Sequence, residues 1–250
     1  MKIVRIDYKG KAQWGVKKED FVKLLAGTPF GKIKYSGQIV ALKSTKILSA
    51  AQPSKIIMVG LNYRKHAKEL GLKIPKVPVL FLKPPSSLAA PGENIIYPQG
   101  VKRLDYEAEL AFIVKKTAHN IQEKKAGEYI LGYTCCNDIT ARDLQKKDGQ
   151  WTRAKSFDTF CPLGPHIETK IQPENLCVCS YLNGKLRQNS TTADFIFPVY
   201  YLVAFISRIM TLFPGDVIST GTPHGIGRMK RGDKIEIEIS GIGCLKNQVV

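Results

Sequence analysis

The sequence has no long hydrophobic run, and this absence argues against a membrane-spanning chain. Its most apolar helix candidate, VYYLVAFISRIMTLF, is shorter than the roughly 20 residues that cross a bilayer and contains Arg208. The segment therefore predicts a core helix. The opening residues, MKIVRIDYKGKAQW, also lack the apolar segment of a secretion signal, so we expect a cytoplasmic protein without membrane contacts.

The cysteines show no metal-binding or disulfide pattern. There are six, including adjacent Cys135 and Cys136 and the closely spaced Cys177 and Cys179, but no CxxC pair. Structural zinc sites usually rely on such pairs, and disulfide frameworks accompany secretion. We therefore expect reduced thiols and neither zinc nor disulfides.

Acidic residues are scarce, at 21 against 38 Lys and Arg, which gives a formal charge of +17. This charge raises the hypothesis of a basic nucleic-acid-binding module, because phosphate attracts basic proteins without sequence specificity. However, the basic residues are scattered, and no segment interleaves them with aromatic residues as nucleic-acid-binding motifs do. We expect a lysine-rich surface that attracts anionic substrates, and no nucleic-acid partner.

The pattern of elements predicts an α+β, mainly β fold. Strand-like segments outnumber helices and do not alternate regularly with them, which argues against a doubly wound sheet. Residues 1–50 are predicted to form a small β-rich N-terminal unit, with one short helix around EDFVKLLA. Residues 51–250 form the predicted main domain.

Local signals predict three further features. Asn183 and Gly184 indicate a hairpin turn, and Asn62 is expected to cap a short helix in LNYRKHAKEL. The glycine-rich GTPHGIG, residues 221–227, has neither Rossmann nor P-loop spacing. It is better interpreted as a tight loop whose backbone N–H groups could bind a carboxylate.

The stretch LDYEAELAFIV places acids inside an apolar strand. Because strand side chains alternate, Asp105, Glu107 and Glu109 are expected to share one face. That face becomes apolar at Ala111 and Ile113, which predicts burial on both sides. Buried carboxylates need a metal ion or basic side chains as partners. A solvated acidic face, as in KIEIEIS, is the alternative.

A third carboxylate could complete a metal site. Asp138 ends the apolar segment YILGYTCCND and, with Glu107 and Glu109, would supply three oxygen ligands. Mg²⁺ and Mn²⁺ prefer such hard ligands and keep other positions for water or substrate. Taken alone, Asp138 is more typical of a helix cap.

His66 and Glu69 are separated by three residues in a predicted helix. This spacing places them on one face, where the carboxylate can orient the imidazole and raise its basicity. On the residues alone, a single helical histidine is more often structural than catalytic. Lys155, Arg142 and Gln145 would likewise be ordinary surface residues.

Seven segments together resemble the fumarylacetoacetate hydrolase family over residues 55–250, in the family's order and roughly its spacing. They are VGLNYRKHAKEL, FLKPPSSL, LDYEAELAFIV, GYTCCNDITARDLQ, RAKSFDTFCPLGP, LNGKLRQ and STGTPHGIG. The resemblance implies a mixed β-sandwich roll and a homodimer. It also implies a divalent cation, Mg²⁺ or Mn²⁺ in function and Ca²⁺ in some crystals.

The resemblance assigns roles to individual residues. It implies metal ligands, a lysine near metal and substrate, a catalytic pair on a mobile lid helix, and substrate-binding residues that include the glycine-rich loop. The implied metal ligands are Glu107, Glu109 and Asp138, and the lysine is Lys155. The implied catalytic pair is His66 and Glu69. The implied substrate-binding residues are Arg142, Gln145, Gly221 and Thr222.

Members of this family act on 2-oxo acids or their enols, so the resemblance implies a metal-dependent enzyme for such a substrate. The metal would stabilise an enolate as a Lewis acid. We expect hydrolysis of a C–C bond in an acylpyruvate-like acid, or isomerisation of a 2-hydroxy-dienedioate in aromatic catabolism. Oxaloacetate decarboxylation and sugar-acid dehydration are alternatives, and a metal-stabilised structural protein without turnover is a more remote one.

Overall fold

Alternating burial marks the strands that face solvent on one side in the computed structural model, which describes all residues, 1–250. In KIEIEI, for example, each isoleucine is buried and each charged residue faces outward. The strands are β1 Lys2–Tyr8, β2 Lys11–Lys18, β3 Phe21–Leu25, β4 Tyr35–Ala41, β5 Lys46–Ile47, β6 Ile56–Gly60, β7 Val79–Lys83, β8 Leu88–Ala89, β9 Asn94–Ile95, β10 Leu104–Tyr106, β11 Ala108–Val114, β12 Ile130–Asn137, β13 Thr140–Ala141, β14 Cys161–Glu168, β15 Cys177–Leu182, β16 Lys185–Thr191, β17 Val217–Ser219, β18 Gly227–Met229, β19 Lys234–Ile239 and β20 Gly243–Val249.

Helices are short and few, which confirms the predicted α+β, mainly β class. The α-helices are α1 Arg64–Glu69, α2 Arg142–Asp148, α3 Thr152–Lys155 and α4 Val199–Ile209. Helix α4 lies within the predicted core helix and buries most of one face. No helix in the structure is both long and apolar enough to cross a membrane.

A large mixed sheet forms the centre of the molecule. Its strands run in the order β4-β3-β2-β1-β14-β12-β11-β17-β6-β7, with β5 paired to β1 and β8 paired to β14. A second sheet, β16-β15-β19-β20-β9, contains the predicted hairpin, whose turn residues Asn183 and Gly184 both have positive φ. The main apolar core joins residues of both sheets, including Phe112 and Ile237.

The N-terminal strands extend the large sheet rather than standing apart from it. Strand β1 pairs with β14, and a separate apolar cluster forms among β1, β3 and β4. The predicted helix in EDFVKLLA is wrong, because Phe21–Leu25 is strand β3. Val22 and Leu24 both face this cluster, and pairing with β2 and β4 overrides the local helical preference. The division at residue 50 stays a prediction.

Asn62 fixes the start of the α1 region, but not as a helix cap. The capping position is Tyr63, which makes no side-chain cap bond. The fully buried Asn62 amide instead donates to the carbonyls of Phe197 (3.1 Å) and Thr220 (2.8 Å). Its Oδ1 accepts from the Phe197 N–H at 2.8 Å. The expected cap is therefore wrong, and Asn62 joins three chain segments instead.

We predict that Asn62→Ala lowers the free energy of unfolding by roughly 2–3 kcal/mol, because buried backbone groups lose their partners. Urea denaturation would measure the loss. Asn94→Ala, at an exposed strand position, is the matched control and should stay within about 0.5 kcal/mol of the parent. Equal stability of the two variants would contradict this role for Asn62.

Candidate metal centre and active site

The stretch LDYEAELAFIV is buried along its whole length, as predicted, but it is not one strand. Residues Leu104–Tyr106 form β10 in a small sheet with β13 and β18, whereas Ala108–Val114 form β11 in the large sheet. The break falls at Glu107, whose N–H donates to Asn137 Oδ1 at 3.0 Å. The chain therefore changes sheets in the middle of its acidic residues.

Because of this break, Asp105 does not join the other two acids. Its carboxylate accepts from Arg103 Nε at 2.8 Å and from Arg142 Nε at 3.0 Å. Asp105 is fully buried, so the two guanidinium groups provide the charge compensation that burial requires. The expected convergence of all three acids is wrong for Asp105.

The remaining two acids meet Asp138 across the β11–β12 pair. The antiparallel register aligns Ala108 with Asn137, and the Asp138 N–H donates to the Glu107 carbonyl at 2.9 Å. Oxygen atoms of Glu107, Glu109 and Asp138 lie within 4.8 Å of one another. All three residues are at most 5% exposed. Three carboxylates grouped in this way are a suitable ligand set for Mg²⁺ or Mn²⁺.

Basic side chains balance two of these carboxylates. Lys155 Nζ donates to Glu107 Oε2 at 2.9 Å and to Asp138 Oδ2 at 2.6 Å, and Lys83 Nζ donates to Asp138 Oδ1 at 2.5 Å. Arg142 also bonds Glu107. An ionised carboxylate has about four lone-pair sites, so these bonds leave acceptor capacity for a metal.

Glu109 is the exception, since no basic side chain forms a salt bridge with it. Its Oε2 accepts from the Ser219 hydroxyl and from the Gly221 N–H, the latter at 3.0 Å. Burial and the neighbouring charges of Asp138 and Glu107 raise the pKa of Glu109 well above its usual value. Burial also raises the pKa of Glu107, but the positive charges of Lys155 and Arg142 outweigh burial and lower that pKa below its usual value. A divalent cation would supply the positive charge that Glu109 lacks.

His66 and Glu69 meet as the helical spacing predicts. His66 Nδ1 lies 2.9 Å from Glu69 Oε2, and Glu69 Oε1 accepts from the Gly225 N–H at 2.9 Å. The glycine-rich loop thus binds two of the protein's own carboxylates, through Gly221 and Gly225. Helix α1 is tied to this loop by the second of these contacts.

A cavity of about 290 Å³ opens above the three carboxylates. Eight of the ten residues that the sequence singled out line it, and the other two are Glu69 and Gly221. Within the cavity, Arg142 Nη1 donates to Gln145 Oε1 at 2.6 Å. Thr222 is held by its hydroxyl, which donates to the Ala108 carbonyl at 3.0 Å.

Several residues of the site were missed in the sequence. Lys83 could have been suspected, because a lysine at the end of the apolar strand VLFLK is unusual unless it is paired. Trp151 and Phe81, which pack edge to face with centroids 5.1 Å apart, form an apolar wall that no local pattern indicates. Lys146 also lines the cavity.

Comparison with known families accounts for nearly the whole chain. Residues 55–250 match the family model described as fumarylacetoacetate (FAA) hydrolase C-terminal. The chain belongs to the fumarylacetoacetate hydrolase family. Residues 1–49 match a second model, described as Rv2993c-like, N-terminal.

Individual relatives in the fumarylacetoacetate hydrolase family include enzymes. A Methanocaldococcus jannaschii protein of unassigned activity is 57% identical over 79% of this chain and 84% of its own. A rat protein named oxaloacetate tautomerase is 39% identical over 82% of this chain and 69% of its own. The crystal structure of a 5-carboxymethyl-2-hydroxymuconate delta-isomerase from Mycobacterium smegmatis, 39% identical, superposes with a TM-score of 0.95 over 100% of this chain and 99% of that one. The chain is therefore an enzyme of this family.

We predict that Mn²⁺ raises the melting temperature of the parent protein and not that of Glu109→Gln. At a metal concentration a hundredfold above Kd, the rise should be about 5 °C or more. Without metal the variant should remain folded, because the glutamine Oε1 can still accept from Ser219 and Gly221. Differential scanning calorimetry with Mn²⁺ or EDTA measures both effects.

The matched control is Glu238→Gln, at an exposed position of β19, which should keep the full response to Mn²⁺. A Glu109→Gln protein that Mn²⁺ stabilises as strongly as the parent would exclude Glu109 as a ligand.

Proposed function

We propose that this protein is a divalent-metal-dependent enzyme that interconverts enol and keto forms of a 2-oxo acid, as a tautomerase or isomerase. The main support for this proposal is a single cavity lined by a buried group of three carboxylates and by a histidine that a glutamate orients. The first arrangement suits a metal, and the second suits proton transfer. The activities after which the rat and mycobacterial relatives are named agree with this chemistry.

Glu107, Glu109 and Asp138 would hold Mg²⁺ or Mn²⁺, which supplies Lewis acidity for the carboxylate and 2-oxo oxygen of the substrate. Lys155 contributes a second positive charge at the same place. Burial lowers its pKa, but the charges of Asp138 and Glu107 outweigh that effect and raise it, so the ammonium is retained at neutral pH. A fixed positive charge in a buried site favours negative charge that develops on substrate oxygen.

We assign the transfer of the proton to His66. Its Nδ1 contacts Glu69 Oε2, whereas Nε2 makes no hydrogen bond within the chain. If Nδ1 carries the hydrogen given to Glu69, Nε2 is the free acceptor on the cavity side. His66 Nε2 can then take a proton from the substrate and return it at another atom. Glu69 holds the ring, and the Gly225 N–H holds Glu69.

Hydrolysis of an acylpyruvate is the second candidate, because the His66–Glu69 contact would serve it equally well. The same Nε2 could deprotonate a water that attacks the distal carbonyl, after which the C–C bond breaks. Decarboxylation of oxaloacetate and dehydration of a sugar acid would require the same enol chemistry. The reactions differ in their products, so one set of assays separates them.

The test uses oxaloacetate, a 2-hydroxy-dienedioate and acetylpyruvate, each with Mg²⁺, Mn²⁺ or EDTA. We expect rapid loss of enol absorbance for at least one of the first two acids, and EDTA should abolish the catalysed rate. Release of acetate and pyruvate from acetylpyruvate would favour hydrolysis, and release of CO₂ from oxaloacetate would favour decarboxylation. No metal-dependent change in any of these acids would contradict the proposal.

We predict that His66→Ala lowers kcat by about 10²–10⁴-fold, the usual contribution of a general acid–base group. Stopped-flow assays on the active substrate would measure the loss. The variant should retain the stabilisation by Mn²⁺, because His66 is not one of the three carboxylates. His119→Ala, at an exposed position, should keep the parent rate, and an undiminished rate in His66→Ala would remove His66 from the mechanism.

A further inference from the structure

Helix α2 presents three polar residues to the cavity. Arg142, Gln145 and Lys146 all line it, and their spacing of three and four residues places them on one helix face. Lys147, the next residue, does not line the cavity. Of these two adjacent lysines, Lys146 therefore faces the cavity and Lys147 does not.

Lys146 is the one Lys or Arg of the cavity lining that has no acidic partner. Arg142 bonds Asp105 and Glu107, and Lys155 bonds Glu107 and Asp138. Lys146 forms no salt bridge or side-chain hydrogen bond within the chain, and its side chain is exposed at the cavity. Its charge is therefore available to a ligand.

The position of Lys146 suits the far end of a substrate. It lies four residues, about 6 Å along the helix axis, from Arg142, whose guanidinium contacts Glu107. Phe81 and Trp151 line the same cavity, and Phe81 lies beside the carboxylate group, since Lys155 Nζ is 5.2 Å from its ring centroid. Trp151 packs on Gly60, where an added Cβ would lie 2.9 Å from the indole. A substrate whose reacting end is at the carboxylates would share this cavity with both rings and with Lys146.

We propose that Lys146 binds the distal carboxylate of a dicarboxylic 2-oxo acid and makes the enzyme select diacids over otherwise similar monoacids. The inference rests on the proposed function, because it takes the carboxylate group at the cavity floor as the reacting end. Lys146 acts on specificity and is not assigned to the chemical step. Its partly solvated ion pair is worth a modest factor in affinity.

The test compares oxaloacetate with its 4-methyl ester, which has a neutral distal end, in the parent, Lys146→Gln and Lys147→Gln. We expect Lys146→Gln to raise KM for oxaloacetate about fivefold, with kcat nearly unchanged and KM for the ester unaffected. Lys147→Gln should match the parent for both. High salt should reduce the parent's preference for the diacid, because salt screens an exposed pair.

Equal effects of Lys146→Gln on diacid and ester, no effect on either, or the same effect from Lys147→Gln would overturn the assignment. Calorimetric titration of the Mn²⁺-loaded proteins with both compounds makes the same comparison for binding. If neither compound is turned over, the proposed function fails on these substrates. The binding preference for the diacid, and its loss in Lys146→Gln, would still decide the role of Lys146.

Discussion

The burial of carboxylates inside a β-sheet is the constraint on which the rest of this structure depends. An ion taken out of water costs several kcal/mol unless a partner compensates it. Here Arg103 and Arg142 compensate Asp105, while Lys83, Lys155 and Arg142 compensate the carboxylates of Asp138 and Glu107. Glu109 receives only neutral donors. The arrangement is thus electrostatically incomplete at one carboxylate, next to a cavity, which is a suitable condition for binding a cation reversibly.

Sheet pairing assembles the site from distant parts of the chain. The register of β11 with β12 brings Asp138 beside Glu107, and the pairing of β11 with β17 brings Gly221 beside Glu109. The glycine-rich loop that follows β17 then continues to Gly225, which holds Glu69. One loop therefore contacts both a member of the carboxylate group and the residue that orients His66. This connection makes the position of helix α1 depend on the same sheet as the three carboxylates.

The sequence predicts the periodic and short-range features of this structure well. Burial of LDYEAELAFIV, the Asn183–Gly184 hairpin and the His66–Glu69 contact all follow from local spacing. Strand alternation and the place of Asp138 at a strand end already predicted the carboxylate group. The ordered resemblance to a known family supported that prediction and singled out Lys155, which no local pattern indicates. Residues that depend on partners far along the chain were the ones missed. Lys83 forms an ion pair with Asp138 only because the fold brings β7 beside Asp138. Asn62 likewise finds its hydrogen-bond partners, Phe197 and Thr220, in distant parts of the chain.

Sheet pairing also explains two of the wrong predictions, the helix at residues 21–25 and the place of Asp105. Phe21–Leu25 is a strand because it pairs with β2 and β4. The break at Glu107 exists because β10 pairs with β13 and β18 instead of continuing in the large sheet. Neither partner is visible in the local sequence. The homodimer and the cytoplasmic location stay predictions. So do the roles in catalysis and substrate binding of His66, Glu69, Lys155, Arg142, Gln145, Gly221 and Thr222.

Anomalous diffraction from crystals grown with Mn²⁺ would show whether the three buried carboxylates form a divalent-cation site. We expect one strong anomalous peak within bonding distance of Glu107, Glu109 and Asp138, and its loss in crystals of Glu109→Gln. Ordered crystals with no peak at these residues, or with Mn²⁺ bound elsewhere on the protein, would contradict it.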